Sequence, residues 1–194
     1  MTAIPKRKLT VAEYLAVERV APFKSDFYDG EMFAMAGAKP AHNRIKDNLI
    51  GELHARLKDG PCFTMSSDMR VTVPGTPYYA YPDIVVVCGE PRFEDEEDDV
   101  LLNPKVIIEV LSPSTEGYDR GFKRQKYQQI ESMREYVLVT PTEAVIEQHV
   151  RREDGVWETL TTEGFTSELR FQSIPASIPC SDIYAGVLPL AATP

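Results

Sequence analysis

The sequence predicts an α+β fold, a single domain over residues 1–194 in which helices flank a central mixed β-sheet. Three features carry that expectation. From Pro40 to Lys58 the residues Ile45, Leu49, Leu53 and Leu57 recur every four positions, one apolar face of a helix closed by Gly60-Pro61. Two runs, "YPDIVVV" (81–87) and "KVIIEVL" (105–111), are dense in β-branched residues, as strands covered on both faces are. An Asp-Gly pair between apolar flanks in "FYDGEMFAM" (27–35) marks a small hairpin.

The remaining elements follow the same logic. Thr10 with Glu13 three residues on is a capping box, opening a short helix through about Arg19. Phe63–Val73 reads as one strand and Ala80–Cys88 as the next. Between the second of these and the strand at Lys105 lies "EDEEDD" (94–99), read as a solvated loop. A helical stretch is expected over about Glu116–Ser132, then the strand "EYVLVTP". "AVIEQHVRR" and "VWETLTT" form a second hairpin around Glu153–Gly155, and a short helix is expected near Ser181–Tyr184.

The net charge of −9 argues against a protein that coats nucleic acid through general basicity. It does not argue against a local site that meets phosphate through a metal ion. Cys62, Cys88 and Cys180 are odd in number and lack metal-type spacing, which fits small hydrophobes in a reducing compartment. "MTAIPKRKLTVAEYLAV" has no continuous apolar region and no run reaches spanning length, so a cytoplasmic location is expected.

One residue stands out. Glu109 sits inside "VIIEVL" with no basic neighbour, and an ionised carboxylate in a dry core is costly unless paired, protonated or bound to metal. Asp83, behind Pro82, shares by alternation the face of Val85 and Val87, while Glu109 shares that of Ile107 and Leu111. If the two strands are neighbours, the carboxylates converge. They then share a proton or hold a cation, and oxygen-only ligands select Mg2+ or Mn2+. On a helical wheel with Phe122 at zero, Lys126 falls at about 40°, Lys123 at about 100° and Tyr127 at about 140°, all within the apolar arc. Lys126 reads as a stem covering apolar surface. Lys123, nearer the helix start, reads as a group that offsets charge on a phosphate.

With these residues in view, the chain resembles the PD-(D/E)xK, or restriction-endonuclease-like, superfamily. "PD" is Pro82-Asp83 and "IIEVL" carries the second acid, Glu109. More narrowly it resembles a bacterial family of uncharacterised proteins labelled restriction endonucleases. The resembling segments are "YDGEMFAM", "HNRIKDNLIGEL", "SSDMRVTV", "YPDIVVV", "IIEVLSPSTEGYDRGFKRQKY" and "EYVLVTP", in the family's order. One departure is Leu111, where the simple pattern has lysine; the lysine is displaced to the following helix, at Lys123.

The resemblance implies a core of helix, three-stranded sheet, helix and strand. It also implies Mg2+- or Mn2+-dependent hydrolysis of nucleic acid, DNA first, with Asp83 and Glu109 as metal ligands and Lys123 assisting. Glu31 matches a recurrent acid and is either a further ligand or base, or an exposed hairpin carboxylate. His42 and Asp68 are candidates to line the site, and so is Tyr127. A homodimer is expected where two strands must be cut, with Pro77–Tyr81 as a packing surface. His54 and His149 have no ligand spacing, and Ser112 and Ser114 lack a nucleophile elbow. The competing reading is a non-catalytic module that keeps this fold and binds protein or nucleic acid; a hydrolase of another phosphate ester ranks third.

Overall fold

The computed structural model describes residues 7–35 and 37–189, so the reading of the first residues falls in part outside it. Helix α1 (Val11–Glu18) begins at the expected capping box, with the Thr10 side chain accepting from the Glu13 backbone and Glu13 returning the bond. A hairpin follows, β1 (Ser25–Tyr28) and β2 (Glu31–Ala34), turned by Asp29 and Gly30 at φ 45° and 88°. Two successive positive φ values are what a type I′ turn demands, which is why Asp-Gly stands there. Helix α2 (Pro40–Leu57) starts on a proline and buries Ile45, Leu49, Leu53 and Leu57, the four residues of the apolar stripe.

Both long strand expectations break in the middle. Phe63–Val73 becomes β3 (Cys62–Ser66) and β4 (Arg70–Thr72), and Ala80–Cys88 becomes β5 (Tyr78–Ala80) and β6 (Ile84–Cys88). The chain changes sheets at each break, at the Ser66–Met69 turn and at Pro82, which has no N–H for a ladder. Beyond them come β7 (Val100–Leu101), β8 (Val106–Val110), β9 (Glu135–Val139), β10 (Val145–Arg151), β11 (Trp157–Glu163), β12 (Glu168–Arg170) and β13 (Ser177–Pro179).

Among the described residues one sheet runs β11-β10-β9-β8-β6-β3, with β8 and β9 parallel and the other pairs antiparallel. This is the expected mixed sheet. A second sheet, β2-β1-β5-β4-β7, lies outside that expectation, and β12 pairs with β13. The two faces of the mixed sheet bury different partners. Ile84, Val86, Ile108 and Val137 pack under α2, whereas Val85, Val87, Ile107 and Tyr136 pack against Val71, Tyr78 and Tyr127.

The segment after β8 is not the single helix expected to about Ser132. It runs as α3 (Glu116–Tyr118), a π-helical turn (Asp119–Lys123) and α4 (Arg124–Tyr127), then tightens into turns through Met133. The chain closes with α5 (Cys180–Ile183), close to the expected terminal helix.

One further expectation is corrected and another is extended. Cys62 and Cys88 lie directly opposite on β3 and β6 and form a disulfide, leaving Cys180 buried and free. Their separation of 26 in sequence hid a pairing that strand register creates. The acidic run is exposed over Glu94–Asp98, as a solvated loop is, and it is also anchored. Asp95 and Asp99 both bind Arg19 (2.7 and 2.9 Å), Asp99 reaches Arg70, and Glu94 accepts from the Tyr79 hydroxyl. Those pairings dock the run against the end of α1.

Candidate active site

Asp83 and Glu109 do converge. Asp83 precedes β6, Glu109 lies on β8, and the two strands pair antiparallel with Ile84 opposite Ile108. The Asp83 backbone N–H donates to Glu109 Oε2 (3.2 Å), and Asp83 Oδ2 accepts from the Val110 N–H (2.9 Å). Each carboxylate is thus fixed by the other's strand. His42, in the first turn of α2, sets Nε2 3.0 Å from the same Oδ2.

Lys123 enters from the π-helical turn. Its Nζ donates to Glu109 Oε1 (2.9 Å) and stands 3.5 Å from Asp119 Oδ1, with the Tyr118 ring 5.9 Å away. Asp119 and Lys123 open and close the π-helical turn, and both are buried. The wheel placed Lys123 in the apolar arc; it is in fact 6% exposed and surrounded by acids. Leu111, at the position where lysine would stand in the simple motif, is buried in the apolar core. Lys126 lies over the rings of Tyr28 and Phe122, as a covering stem does.

A fourth acid had no strong sequence signal. Asp26, on β1, is buried and accepts from the Tyr81 N–H (3.1 Å). The Tyr81 hydroxyl in turn donates to Glu18 Oε1 and accepts from Arg70 Nε. Alternation sets Asp26 opposite to core-facing Phe27, which in an isolated hairpin means solvent. Only the packing of other segments over that face buries it.

The electrostatics follow from this crowding. Burial pushes the Glu109 carboxyl well above its ordinary range, opposed by Lys123 and reinforced by Asp119 and Asp83. Burial also raises Asp26, again opposed by Lys123. For Lys123 burial works against the charged form, but Glu109, Asp26 and Asp119 outweigh it and hold the ammonium well above its usual value.

Four acids around one lysine leave excess negative charge in a mostly dry site. A proton or a further cation would relieve it. Asp83 Oδ1 has no hydrogen bond among the described residues, and the side chain keeps 14% exposure. That open oxygen, beside Glu109, fits a hard ion such as Mg2+ that retains several waters. No group of three or more His, Cys, Asp or Glu able to hold an ion is preformed among the described residues. The other positions would therefore fall to water or substrate.

The remaining candidates lie farther out. Glu31 is exposed on β2, opposite Tyr28, and makes no hydrogen bond to the cluster among the described residues. Asp68 is exposed in the turn after β3 and pairs with Lys24. Tyr127 is fully buried between Tyr78 and Tyr136, a floor beneath the cluster.

The family model Uma2, described as "Putative restriction endonuclease", matches residues 11–180, which include every member of the cluster. The chain belongs to the Uma2 family. Two Synechocystis sp. (strain ATCC 27184 / PCC 6803 / Kazusa) relatives agree in extent. The uncharacterised protein sll1609 is 34% identical over 171 residues, covering 88% of this chain and 97% of the relative. The uncharacterised protein slr1290 is 33% identical over 183 residues, covering 94% and 95%. A solved structure from Anabaena variabilis ATCC 29413, described as "a putative nuclease belonging to DUF820", matches with TM-score 0.74 and 16% identity. It covers 93% of this chain and 99% of that one. At that identity it shows the shared fold. Membership in Uma2 brings the restriction-endonuclease-like superfamily with it. No helix among the described residues is long and apolar enough to cross a membrane.

Proposed function

We propose that this Uma2 protein is a metal-dependent nuclease that hydrolyses a phosphodiester bond of nucleic acid, DNA first. The observation that carries the reading is the meeting of Asp83, Glu109 and Lys123 at the ends of two paired strands. Asp83 and Glu109 would hold Mg2+ or Mn2+. Bound there, the ion would supply Lewis-acid polarisation of the phosphate and a more acidic water. Lys123 places a fixed positive charge where charge develops on the phosphate, in a setting with little water to screen it. Burial raises the Asp26 carboxyl above its ordinary range, the direction a general base requires. His42 and the Val110 N–H both bind Asp83 Oδ2 and hold the carboxylate in one orientation.

Calorimetric titration with Mn2+ and Mg2+, on wild type and on Asp83→Ala and Glu109→Gln, tests the reading. Binding by wild type that is lost in both variants, together with metal-dependent cleavage of DNA or RNA lost in Asp83→Ala, supports it. A wild type that neither binds metal nor cleaves any nucleic acid sinks it.

One observation favours a second reading, a non-catalytic binding module. Lys123 already neutralises Glu109 within the fold, as a purely structural pair would. That reading expects unchanged metal titrations in Glu109→Gln.

A further inference from the structure

The β1–β2 hairpin turns one face towards the acid cluster, and that face continues outward to half-exposed side chains. Directly opposed residues of an antiparallel pair share a face. Asp26 is opposite Phe33, and Tyr28 is opposite Glu31. One row further, the Met35 N–H donates to the Lys24 carbonyl. The inner column is therefore Lys24, Asp26 and Tyr28, tied to the cluster through Tyr81 and Phe122. The outer column is Met35, Phe33 and Glu31, on the edge strand of its sheet. Phe33 is 50% exposed and Met35 39%. The hairpin's other face is accounted for, since Phe27 and Met32 pack with Tyr14.

Two ammonium groups stand at the Lys24 end of this face. Lys24 Nζ donates to the Ser67 carbonyl (2.8 Å), and Lys46 Nζ lies 3.4 Å from the Ser67 hydroxyl. Lys46 is one helical turn beyond His42 on α2, so it sits on the side of that helix that touches Asp83. Among the described residues the one acid within ion-pair distance of either lysine is Asp68, itself 81% exposed. In a chain of net charge −9, an exposed aromatic ring next to two lysines and a carboxylate cluster is a local exception.

We propose that this face binds an unpaired stretch of nucleic acid, one base stacking on Phe33 and the adjoining phosphates meeting Lys24 and Lys46. The assignment rests on the nuclease reading for its direction, because the same face leads to Asp83 and Glu109. A base inside a duplex has both faces covered by its neighbours, so an exposed ring selects unpaired nucleotides or strand ends. A second copy of the chain seated there would cover the approach to Asp26.

The test is fluorescence anisotropy in EDTA, where no metal-dependent cleavage occurs, with labelled twelve-nucleotide single strands of DNA and RNA and a blunt duplex. Wild type should bind a single strand more tightly than the duplex. Phe33→Ala should weaken single-strand binding roughly ten-fold, and Phe33→Trp should keep it. Lys46→Gln should flatten the slope of log K against log salt by roughly 0.7. Unchanged binding by Phe33→Ala, or a preference for the duplex, overturns the proposal. So does a Phe33→Ala variant that turns a dimer into a monomer by light scattering without altering oligonucleotide affinity, since the face is then a subunit contact. Metal-dependent cleavage is measured in parallel on the same strands. Phe33-dependent binding without any cleavage removes the nuclease reading and leaves this one standing; cleavage without Phe33-dependent binding does the reverse.

Discussion

Lys123 and Glu109, from a π-helical turn and a central strand, form a buried ion pair at 2.9 Å with side-chain exposures of 8% and 5%. Burial makes this pair costly to break on one side. Leaving a charge uncompensated in the interior costs about 3–5 kcal/mol, whereas replacing both partners with neutral groups of similar shape is often nearly neutral. Lys123→Met should therefore lower unfolding stability by that amount, and the Lys123→Met/Glu109→Gln double variant should recover most of it. Urea melts of the four proteins measure this directly. A Lys123→Met protein as stable as wild type would show that the pair does not exist in solution.

The raised Glu109 carboxyl makes a pH prediction with a definite sign. A group whose folded value lies above its unfolded value favours the folded state when protonated, so its contribution is complete below the unfolded value of 4.5. That contribution is lost as pH rises from there through the folded value. Wild type should accordingly lose stability across that window more steeply than Glu109→Gln. Mn2+ binding favours the ionised carboxylate and should reverse part of that loss. Thermal melts against pH, with and without Mn2+, decide it; parallel curves for the two proteins would dismiss the shift.

His42 holds Asp83 at 3.0 Å while its own Nδ1 is buried without a partner among the described residues. Its role is to position the carboxylate. On the proposed metal site, His42→Ala should weaken Mn2+ binding by roughly 10-fold, the lower part of the range for such supporting groups. His42→Asn, which keeps a donor, should restore part of the affinity. Equal affinities for all three proteins would leave His42 with no duty at Asp83.

The parts of this structure that were legible in the sequence are those fixed by local chemistry. The capping box at Thr10, the Asp29-Gly30 turn and the four-residue stripe of α2 each follow from one rule of backbone geometry or periodicity, and each appears where expected. Glu109 was legible because a charge in an apolar strand is an anomaly in one dimension. Asp26 was not, because its burial is made by segments far along the chain. Asp119 was not among the expected site residues, because an acid four positions before a lysine is an ordinary helix pair in sequence and only tertiary packing buries it. The sheet changes at Ser66–Met69 and Pro82 were hidden because apolar residues continue on both sides of each break.

The Cys62–Cys88 bond spans the segment that carries β4, β5, Tyr81 and Asp83, so it bears on both stability and the site. A cross-link over 26 residues restricts the unfolded chain by roughly 3–4 kcal/mol in the loop-entropy account. Thiol titration in denaturant should find one reactive thiol, Cys180, in the oxidised protein and three after reduction. Reduction, or the Cys62→Ala/Cys88→Ala double variant, should then shift the urea midpoint downward by the equivalent of that free energy. Because β3 is an edge strand that pairs only with β6 among the described residues, the loss should appear first as faster amide exchange in Cys62–Ser66. The exchange should also rise at Asp83, whose N–H is anchored only by Glu109 among the described residues, and Mn2+ affinity should fall with it. Three reactive thiols in protein never exposed to reductant would mean that the two cysteines meet across the strands without bonding, and the predicted stabilisation would vanish.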